Sequence, residues 1–484
     1  MGAIIAVVSK QNEDVAKTAV TMLKMLKHKG AEAFGIASPT IVRIETSIEN
    51  LQDKDVSSPL LIGHVFSKIF MPDMPQPIKL DYGMLVFEGR IHLLNTEFSN
   101  AEFVAEKLNQ NRGNARALIK DFEGGFAFAV AESGRLIAGR DSLGTYPLYY
   151  GENADFAGLA SERKALWKIG IKEVHSFPPG HIAVVGKRGF KFKLVKALVH
   201  TRTREITMQA AVKKLRKLLQ QSVKQRVSGL KEVAVAFSGG LDSSIIAFLA
   251  EHFKVDVHLI FVSLKNQPEI EHAKKAAEAL NLPLHIRLYS EKAVKEVLPK
   301  VLWLIEESNS VKTSIGIPMF WTAEKASEMG FRAMLAGQGA DELFGGYKRY
   351  LNDYLRYGEE IVQKTIFNDI VNMYEINFER DSKICNFHNV QLRLPFATYK
   401  LAKFAASLPL QLKIESPSDM LRKIVLRKVA EDVGLPHFIV NKPKKAIQYA
   451  TGVNKVIKKL AKKKGFSAKE YLQKMFQTAF KRMM

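Results

Sequence analysis

The segment Val233-Ala-Val-Ala-Phe-Ser238-Gly239-Gly240-Leu241-Asp242-Ser243-Ser244, followed by the apolar run Ile245–Ala250, decides how this chain is read. A short apolar strand runs into a glycine-rich turn and then a helix N-terminus, where free backbone N–H groups and the positive dipole end meet an anion. Gly239 and Gly240 let the backbone approach phosphate oxygens without Cβ clashes. Ser238, Ser243 and Ser244 add hydroxyl donors, and Asp242 suits a Mg²⁺ ion that neutralises the phosphates. A Walker A loop is excluded because no Gly-Lys-Ser/Thr is present here. A serine-capped helix after a glycine turn explains the Gly-Gly pair alone, but not the full string in its strand-to-helix setting.

Working outward, the residues after this segment alternate between short apolar strands and helical patterns: strand Val257–Ser263, helix Ile270–Leu280, strand Leu284–Leu288, helix Ala293–Glu307, helix Pro318–Met329 and strand Ala333–Ala336. That alternation predicts an α/β, doubly wound parallel sheet. Past Gly346 the chain reads as mostly helical, ending in the basic run Lys458, Lys459, Lys462, Lys463 and Lys464. Before Val233 the pattern differs. Strands at Ala3–Val8, Leu60–His64, Met84–Phe87, Phe126–Val130 and Leu136–Ala138, with helical pattern only around Ala16–Lys27 and Ala101–Asn109, predict a sheet-rich α+β domain. Between them the chain turns basic and loses its strand pattern, then shows helix-period apolar positions at Ile206, Ala210, Leu215, Leu218, Leu219 and Val223. Two domains are expected, 1–195 and 205–484.

A length of 484 residues fits two or more domains, and 47% hydrophobic with 25% charged residues is ordinary for a globular protein. No uncharged stretch approaches the roughly 18 residues of a membrane span. The single cysteine, Cys385, excludes an internal disulfide framework and a multi-cysteine zinc site. With no basic or cleavable leader pattern at the N-terminus, the cytoplasm is the expected compartment. The abnormal value is charge: 72 Lys and Arg against 49 Asp and Glu give +23. Such a field attracts polyanions, so nucleic acid stays open as a partner, although no aromatic-interleaved RNA motif accompanies it. ATP, pyrophosphate and an acidic substrate benefit from the same field.

At Ser238–Ser244 the sequence resembles the ATP pyrophosphatases, which release pyrophosphate while adenylating a carboxylate or carbonyl oxygen. A second string, Leu335-Ala336-Gly337-Gln338-Gly339-Ala340-Asp341-Glu342-Leu343-Phe344-Gly345-Gly346-Tyr347, is similar to the signature of asparagine synthetases and their β-lactam-forming relatives. The resemblance implies that Gly337 belongs to the nucleotide site. Asp341, at a strand's carboxyl end, suits the second carboxylate of the metal, since ligands of open α/β sheets bind there. Ile305-Glu306-Glu307, ahead of Pro318-Met319, resembles the segment carrying the family's catalytic glutamate, which implies Glu306 as the general acid/base for ammonia attack. Asn441-Lys442-Pro443-Lys444-Lys445 resembles the basic segment whose lysine reaches adenylate and pyrophosphate, implying Lys444, with Lys445 as the alternative. Val390–Phe396 also matches, as packing scaffold. Ala336 and Gln338 depart from the Ser and Glu of many bacterial members, and Asn309 stands in place of an Asp.

Residues 1–190 resemble a class II glutamine amidotransferase domain through Phe122–Phe128, Gly139–Tyr150, Ala160–Leu166 and Phe177–Gly180. The resemblance implies antiparallel sheets with helices. Active members carry a nucleophilic cysteine after the initiator Met; here Gly2 stands there. The family's Asn-Gly-Glu segment reads Glu88-Gly89-Arg90, Phe66 replaces the arginine for the glutamine carboxylate, and Asn100 replaces the aspartate for its ammonium. Such a pocket leaves charged substrate groups unpaired, so glutaminase activity is expected to be absent. Taken together, the resemblance implies an asparagine synthetase-like ligase using ATP and Mg²⁺ to amidate aspartate through β-aspartyl-AMP, with nitrogen from free ammonia or a separate glutaminase. Two alternatives stand beside it: ATP-dependent modification of another carboxylate or carbonyl, including one in RNA, and a basic non-enzymatic scaffold with a relic nucleotide site.

Overall fold

The computed structural model describes residues 2–30, 32–52, 56–92, 99–111, 113–200 and 203–483. Its contacts divide into two units, Met1–Ala197 with Asn386–Gln391, and Leu198–Cys385 with Leu392–Met483.

Among the described residues the first unit has thirteen strands: β1 (Gly2–Ser9), β2 (Ala33–Ala37), β3 (Val42–Glu45), β4 (Leu60–Phe66), β5 (Ile78–Leu80), β6 (Gly83–Ile91), β7 (Gly124–Glu132), β8 (Arg135–Arg140), β9 (Tyr149–Glu152), β10 (Phe156–Ala160), β11 (Val174–Ser176), β12 (His181–Gly186) and β13 (Gly189–Leu194). They form a seven-stranded sheet, β11-β9-β10-β1-β4-β2-β3, and a six-stranded sheet, β13-β12-β8-β7-β6-β5. The ladders are antiparallel, with β1 between β10 and β4 in registers Ala6↔Leu159 and Ala6↔Ile62. The continuous apolar run of β1 follows from burial on both faces. Ile4, Ala6 and Val8 join Ala127, Ala129 and Ala131 of β7 in the core between the sheets. Ala3, Ile5 and Val7 join the buried face of helix α1 (Ala16–Leu26). Strand β7 sorts by size: its alanines face the other sheet, while Phe126, Phe128 and Val130 pack with Val104, Ala105 and Leu108 of α2 (Asn100–Gln110). Small residues inside and large ones outside let two sheets approach and helices cover their outer faces. The short helices α3 (Arg116–Asp121) and α4 (Arg163–Lys168) complete this unit.

The second unit opens with helix α5 (Met208–Val227), capped by the Thr207 side chain. Five strands follow, β14 (Glu232–Ala236), β15 (Asp256–Leu264), β16 (Leu284–Tyr289), β17 (Ala333–Leu335) and β18 (Gln391–Arg393), in the order β16-β15-β14-β17-β18. The β14–β15, β14–β17 and β15–β16 pairings are parallel. Between them lie α6 (Leu241–Glu251), α7 (Glu269–Ala279), α8 (Glu291–Ile305) and α9 (Ser310–Glu328), followed by α10 (Ala340–Phe344) and the long α11 (Lys348–Met373). The chain moves outward from β14 to β16 and returns to the other side of β14 at β17, which makes a topological switch at the carboxyl ends of β14 and β17. Among the described residues, no helix is long and apolar enough to cross a membrane.

The helix expected to begin at Pro318 begins earlier, at Ser310. Asn309 accepts hydrogen bonds from the backbone N–H of Val311 and Lys312 at 2.9 and 3.0 Å, which fixes the start. The helix then tolerates Pro318 in its interior, although proline lacks the N–H of that turn. The preceding helix ends at Ile305 because Glu306 takes a left-handed conformation, φ 60°.

Lys413 is buried in the second unit on a small cavity lined by His200, Gln363, Phe367 and Leu410. Burial pushes its ammonium down to about 7. An unfolded lysine keeps its proton up to about pH 10.4, so between these values the unfolded state binds more protons, and stability rises with pH. Chemical unfolding at about pH 7 and pH 9.5 is expected to show that rise, on the order of a few kcal/mol. Lys413→Met should flatten it and be the more stable protein at the lower pH.

Candidate active site

The loop Phe237–Gly240 leaves β14 and delivers the chain into α6 with Gly240 at its cap. Gly239 sits at φ 68°, and a Cβ there would lie 3.0 Å from the His272 ring, whose Nε2 meets the Gly239 carbonyl at 2.8 Å. The turn is tied internally. The Ser238 backbone N–H donates to Ser243 Oγ at 3.2 Å, and the Gly240 N–H donates to Ser238 Oγ at 3.3 Å. Ser238 and Ser243 therefore present hydroxyls at a helix N-terminus that carries Asp242 in its first turn.

Opposite, β17 leads through Gly337 and Gln338 into α10, with Asp341 in its first turn. Gly337 packs directly on Asp242: a Cβ at position 337 would lie 2.9 Å from the Asp242 Cβ. Gly346 is similarly constrained, since a Cβ there would lie 2.0 Å from Asp341 Oδ1 and 2.3 Å from Lys423 Cε. These contacts bring the carboxylates of Asp242 and Asp341 to one place.

Two lysines close the arrangement. Lys423 Nζ lies 2.7 and 2.6 Å from the two Asp242 oxygens and 2.6 Å from Asp341 Oδ1. Lys444 Nζ lies 2.7 Å from Asp341 Oδ2 and 3.7 Å from Asp242 Oδ2. Burial alone would raise the Asp341 carboxyl, but the two ammonium groups overcome it and hold it well below the usual carboxylate range. Conversely, burial would lower Lys444, and Asp341 with Asp242 raises it. Next door, burial and the Asp341 charge push the Glu342 carboxyl up, while Tyr347 Oη and Asn377 Nδ2 donate hydrogen bonds to it.

The cluster faces a cavity of about 490 Å³ whose wall includes Ser238, Asp242, Ser243, Gly337, Asp341 and Lys444. Of the expected site residues, those six meet there. Gly239 and Gly240 shape the turn behind the wall, and Ser244 is fully buried with its Oγ unpartnered among the described residues. Lys444 reaches the carboxylates, whereas Lys445 pairs with Glu269 at 2.8 Å. Glu306 is not on the wall: it is buried at the α8–α9 junction, 3.1 Å from Lys383 Nζ. Gln338 donates to Asp381 Oδ2 at 2.7 Å, and Arg380 forks onto both oxygens of that carboxylate.

Lys423 was not foreseen. It stands 181 residues from Asp242 with a left-handed backbone, φ 57°, in a turn that Asp419 organises by accepting from the N–H groups of Leu421 and Arg422. The one signal in the sequence is Asp419 three residues before the Arg422-Lys423 pair, an Asx-type turn without the glycine that usually marks left-handed backbone.

In the first unit, Gly2 pairs with Phe66 in the β1–β4 register. A Cβ at position 2 would lie 1.8 Å from the Val65 carbonyl oxygen and 2.8 Å from His64 Cε1. Glu88 faces His64 Nε2 at 3.4 Å, and Asn100 accepts from the Ile91 N–H at 2.8 Å.

The asparagine synthase family model matches residues 214–363 and 355–483, and a glutamine amidotransferase domain model matches residues 88–168. A putative asparagine synthetase [glutamine-hydrolyzing] 1 of Methanocaldococcus jannaschii is 31% identical, over 97% of each chain. Asparagine synthetase B [glutamine-hydrolyzing] of Escherichia coli K12 is 25% identical over 86% of this chain and 76% of its own. An Arabidopsis thaliana asparagine synthetase [glutamine-hydrolyzing] 2 is 25% identical over 70% of this chain and 60% of its own. A glycine–serine turn at a helix N-terminus and a paired carboxylate–lysine cluster at a sheet's switch point thus occur in a chain that belongs to the asparagine synthetase family, ATP-dependent carbon–nitrogen ligases that carry out amidation.

Proposed function

We propose that this protein amidates aspartate to asparagine through β-aspartyl-AMP, taking nitrogen from free ammonia or from a separate glutaminase. The observation that carries the reading is the convergence of Asp242, Asp341 and Lys444 on one cavity beside the Ser238–Ser243 turn, with buried Lys423 bridging both carboxylates. Asp242 and Asp341 offer hard oxygen donors, a set that suits a divalent cation such as Mg²⁺. When bound, that ion supplies charge neutralisation at the phosphates.

In this reading the turn N–H groups and the Ser238 and Ser243 hydroxyls hold the β- and γ-phosphates, while Lys423 and Lys444 exchange their carboxylate partners for phosphate oxygens. The aspartate side-chain carboxylate attacks the α-phosphorus and the bond to pyrophosphate breaks. Fixed cations matter there because negative charge builds on the leaving group. Ammonia then attacks the acyl carbon and AMP leaves. Glu306 takes the proton that ammonia sheds; since its carboxylate is buried against Lys383, this requires the α8–α9 junction to open.

Loss of glutamine hydrolysis is supported by the absence of a thiol at Gly2 and by the Val65 carbonyl, which occupies the space a Cβ there would need. Neutral Phe66 and a hydrogen-bonded Asn100 stand where a glutamine clamp needs charges. The +23 charge supports tRNA as the competing acceptor, to be recognised by salt-dependent binding and no aspartate-dependent turnover.

Pyrophosphate, AMP and asparagine are to be measured with ATP, Mg²⁺ and aspartate. Ammonium should support synthesis and glutamine should not; asparagine made from glutamine by the purified chain refutes the loss of glutaminase. Asp242→Asn and Glu306→Ala should each abolish synthesis.

Lys423→Met is expected to slow pyrophosphate release at least a hundredfold, the scale of removing one preorganised group, about 3 kcal/mol. Gly346→Ala should lower the same rate by displacing Asp341 and Lys423, with the melting temperature of each variant reported alongside to separate misfolding from lost chemistry.

A further inference from the structure

The charge excess of this chain has a location. Two helices, Val453–Lys463 and Ala468–Met483, and the turn between them carry ten Lys and Arg against one acid, Glu470, a net nine of the chain's 23 positive charges. The first helix sorts its residues by face. Lys455, Lys458, Lys459, Lys462 and Lys463 recur at the i, i+3, i+4, i+7, i+8 spacing of one side, and all five are exposed. Val453, Val456, Ile457 and Ala461 are buried, where the helix packs on α8 and on the second helix.

Neighbouring acids do not balance this face. Among the described residues only Lys459 of the five has an ion-pair partner, Glu291 at 2.6 Å. On α7 and α11, by contrast, Lys274 pairs with Glu271 at 2.8 Å and Lys364 with Glu360 at 2.9 Å, each one turn away. Glu470 is occupied at the start of the second helix, accepting from the Ser467 N–H at 2.9 Å. Lysines one turn apart on a helix repel one another, so an unmixed row destabilises the helix that carries it. A repeating anion relieves that repulsion.

The spacing points to the anion. Eight residues of helical rise place five ammonium groups along roughly 12 Å, a density approaching the one charge per about 1.7 Å of a nucleic-acid duplex. Other anionic surfaces fit less well. From residue 453 onward no large apolar side chain is exposed among the described residues, so the face offers neither a stacking platform for single-stranded bases nor a wedge for a bilayer.

We propose that the lysine face of helix Val453–Lys463 binds the phosphate backbone of double-stranded nucleic acid without reading its sequence. The ammonium groups meet phosphate oxygens and release the counterions condensed there. None of the five lysines lines the catalytic cavity, so the inference is independent of what the second unit amidates.

The test is fluorescence anisotropy on the full chain with short duplexes of DNA and of RNA, each in two unrelated sequences, titrated across salt concentration. Log affinity is expected to fall linearly with log salt at a slope of about −3 or steeper, or three and more phosphates at about 0.9 each. The two sequences should bind alike, and the tighter of the DNA and RNA arms identifies the source of the backbone. Lys458→Gln combined with Lys462→Gln should make the slope shallower by about two. Lys455→Gln combined with Lys463→Gln carries the same expectation, so the outcome does not hang on one variant's folding, and melting of each is measured alongside. The same change at Lys213 and Lys217, exposed on α5, should leave the slope unaltered. Absence of binding at low salt overturns the proposal. So does an equal loss from the α5 pair, which makes the field of the whole chain responsible. Tighter binding to phosphatidylserine-containing vesicles than to either duplex overturns it in favour of a lipid surface.

Discussion

Four charged side chains, Asp242, Asp341, Lys423 and Lys444, set the constraint on which the second unit depends. Each comes from a different segment, and none is stable alone in that place: a carboxylate taken from water without a partner is expensive, and so is an ammonium. Together they form an alternating set in which each Asp341 oxygen meets a different lysine. The glycines at 337 and 346 are required by this closeness, since a side chain at either would push the carboxylates apart. The Ser238–Ser243 turn is thus fixed from below by backbone hydrogen bonds and from the side by charge.

Much of this was legible in the sequence because it is local. The strand–turn–helix of Val233–Ala250 carries its own instructions: apolar run, Gly-Gly, serines and an acidic first turn. The order of strands and helices through Ala336 followed from periodicity, and the two-sided burial of β1 from its unbroken apolar run. What was not legible depends on distance along the chain. Lys423 has no distinguishing neighbourhood beyond an Asp419 turn, and its partner lies 181 residues away. The start of α9 was misplaced because proline reads as a helix beginning, whereas the Asn309 cap outweighs it. Glu306, expected as the general acid/base, has a left-handed backbone and lies buried 3.1 Å from Lys383 Nζ, a pairing that only the folded chain reveals.

In the first unit the framework and the small pocket beside β6 are built largely from different residues. Two antiparallel sheets packed through alanines, with helices outside, take none of positions 88, 90 and 100 into their apolar clusters, whereas Phe66 is buried and position 2 is crowded by the Val65 carbonyl.

The wide sequence separation of the charge cluster bears on how the protein reaches its native state. Strand β17 joins β14 only after two intervening helix–strand units and the α8–α9 pair, and the turn bearing Lys423 lies later still along the chain. Contacts this non-local pay their loop-closure entropy before they return any attraction, so they form slowly and near the end of folding. Until that last docking, two carboxylates face each other without a cation. Their mutual repulsion works against premature closure, so the cluster is complete only when the whole second unit is in place.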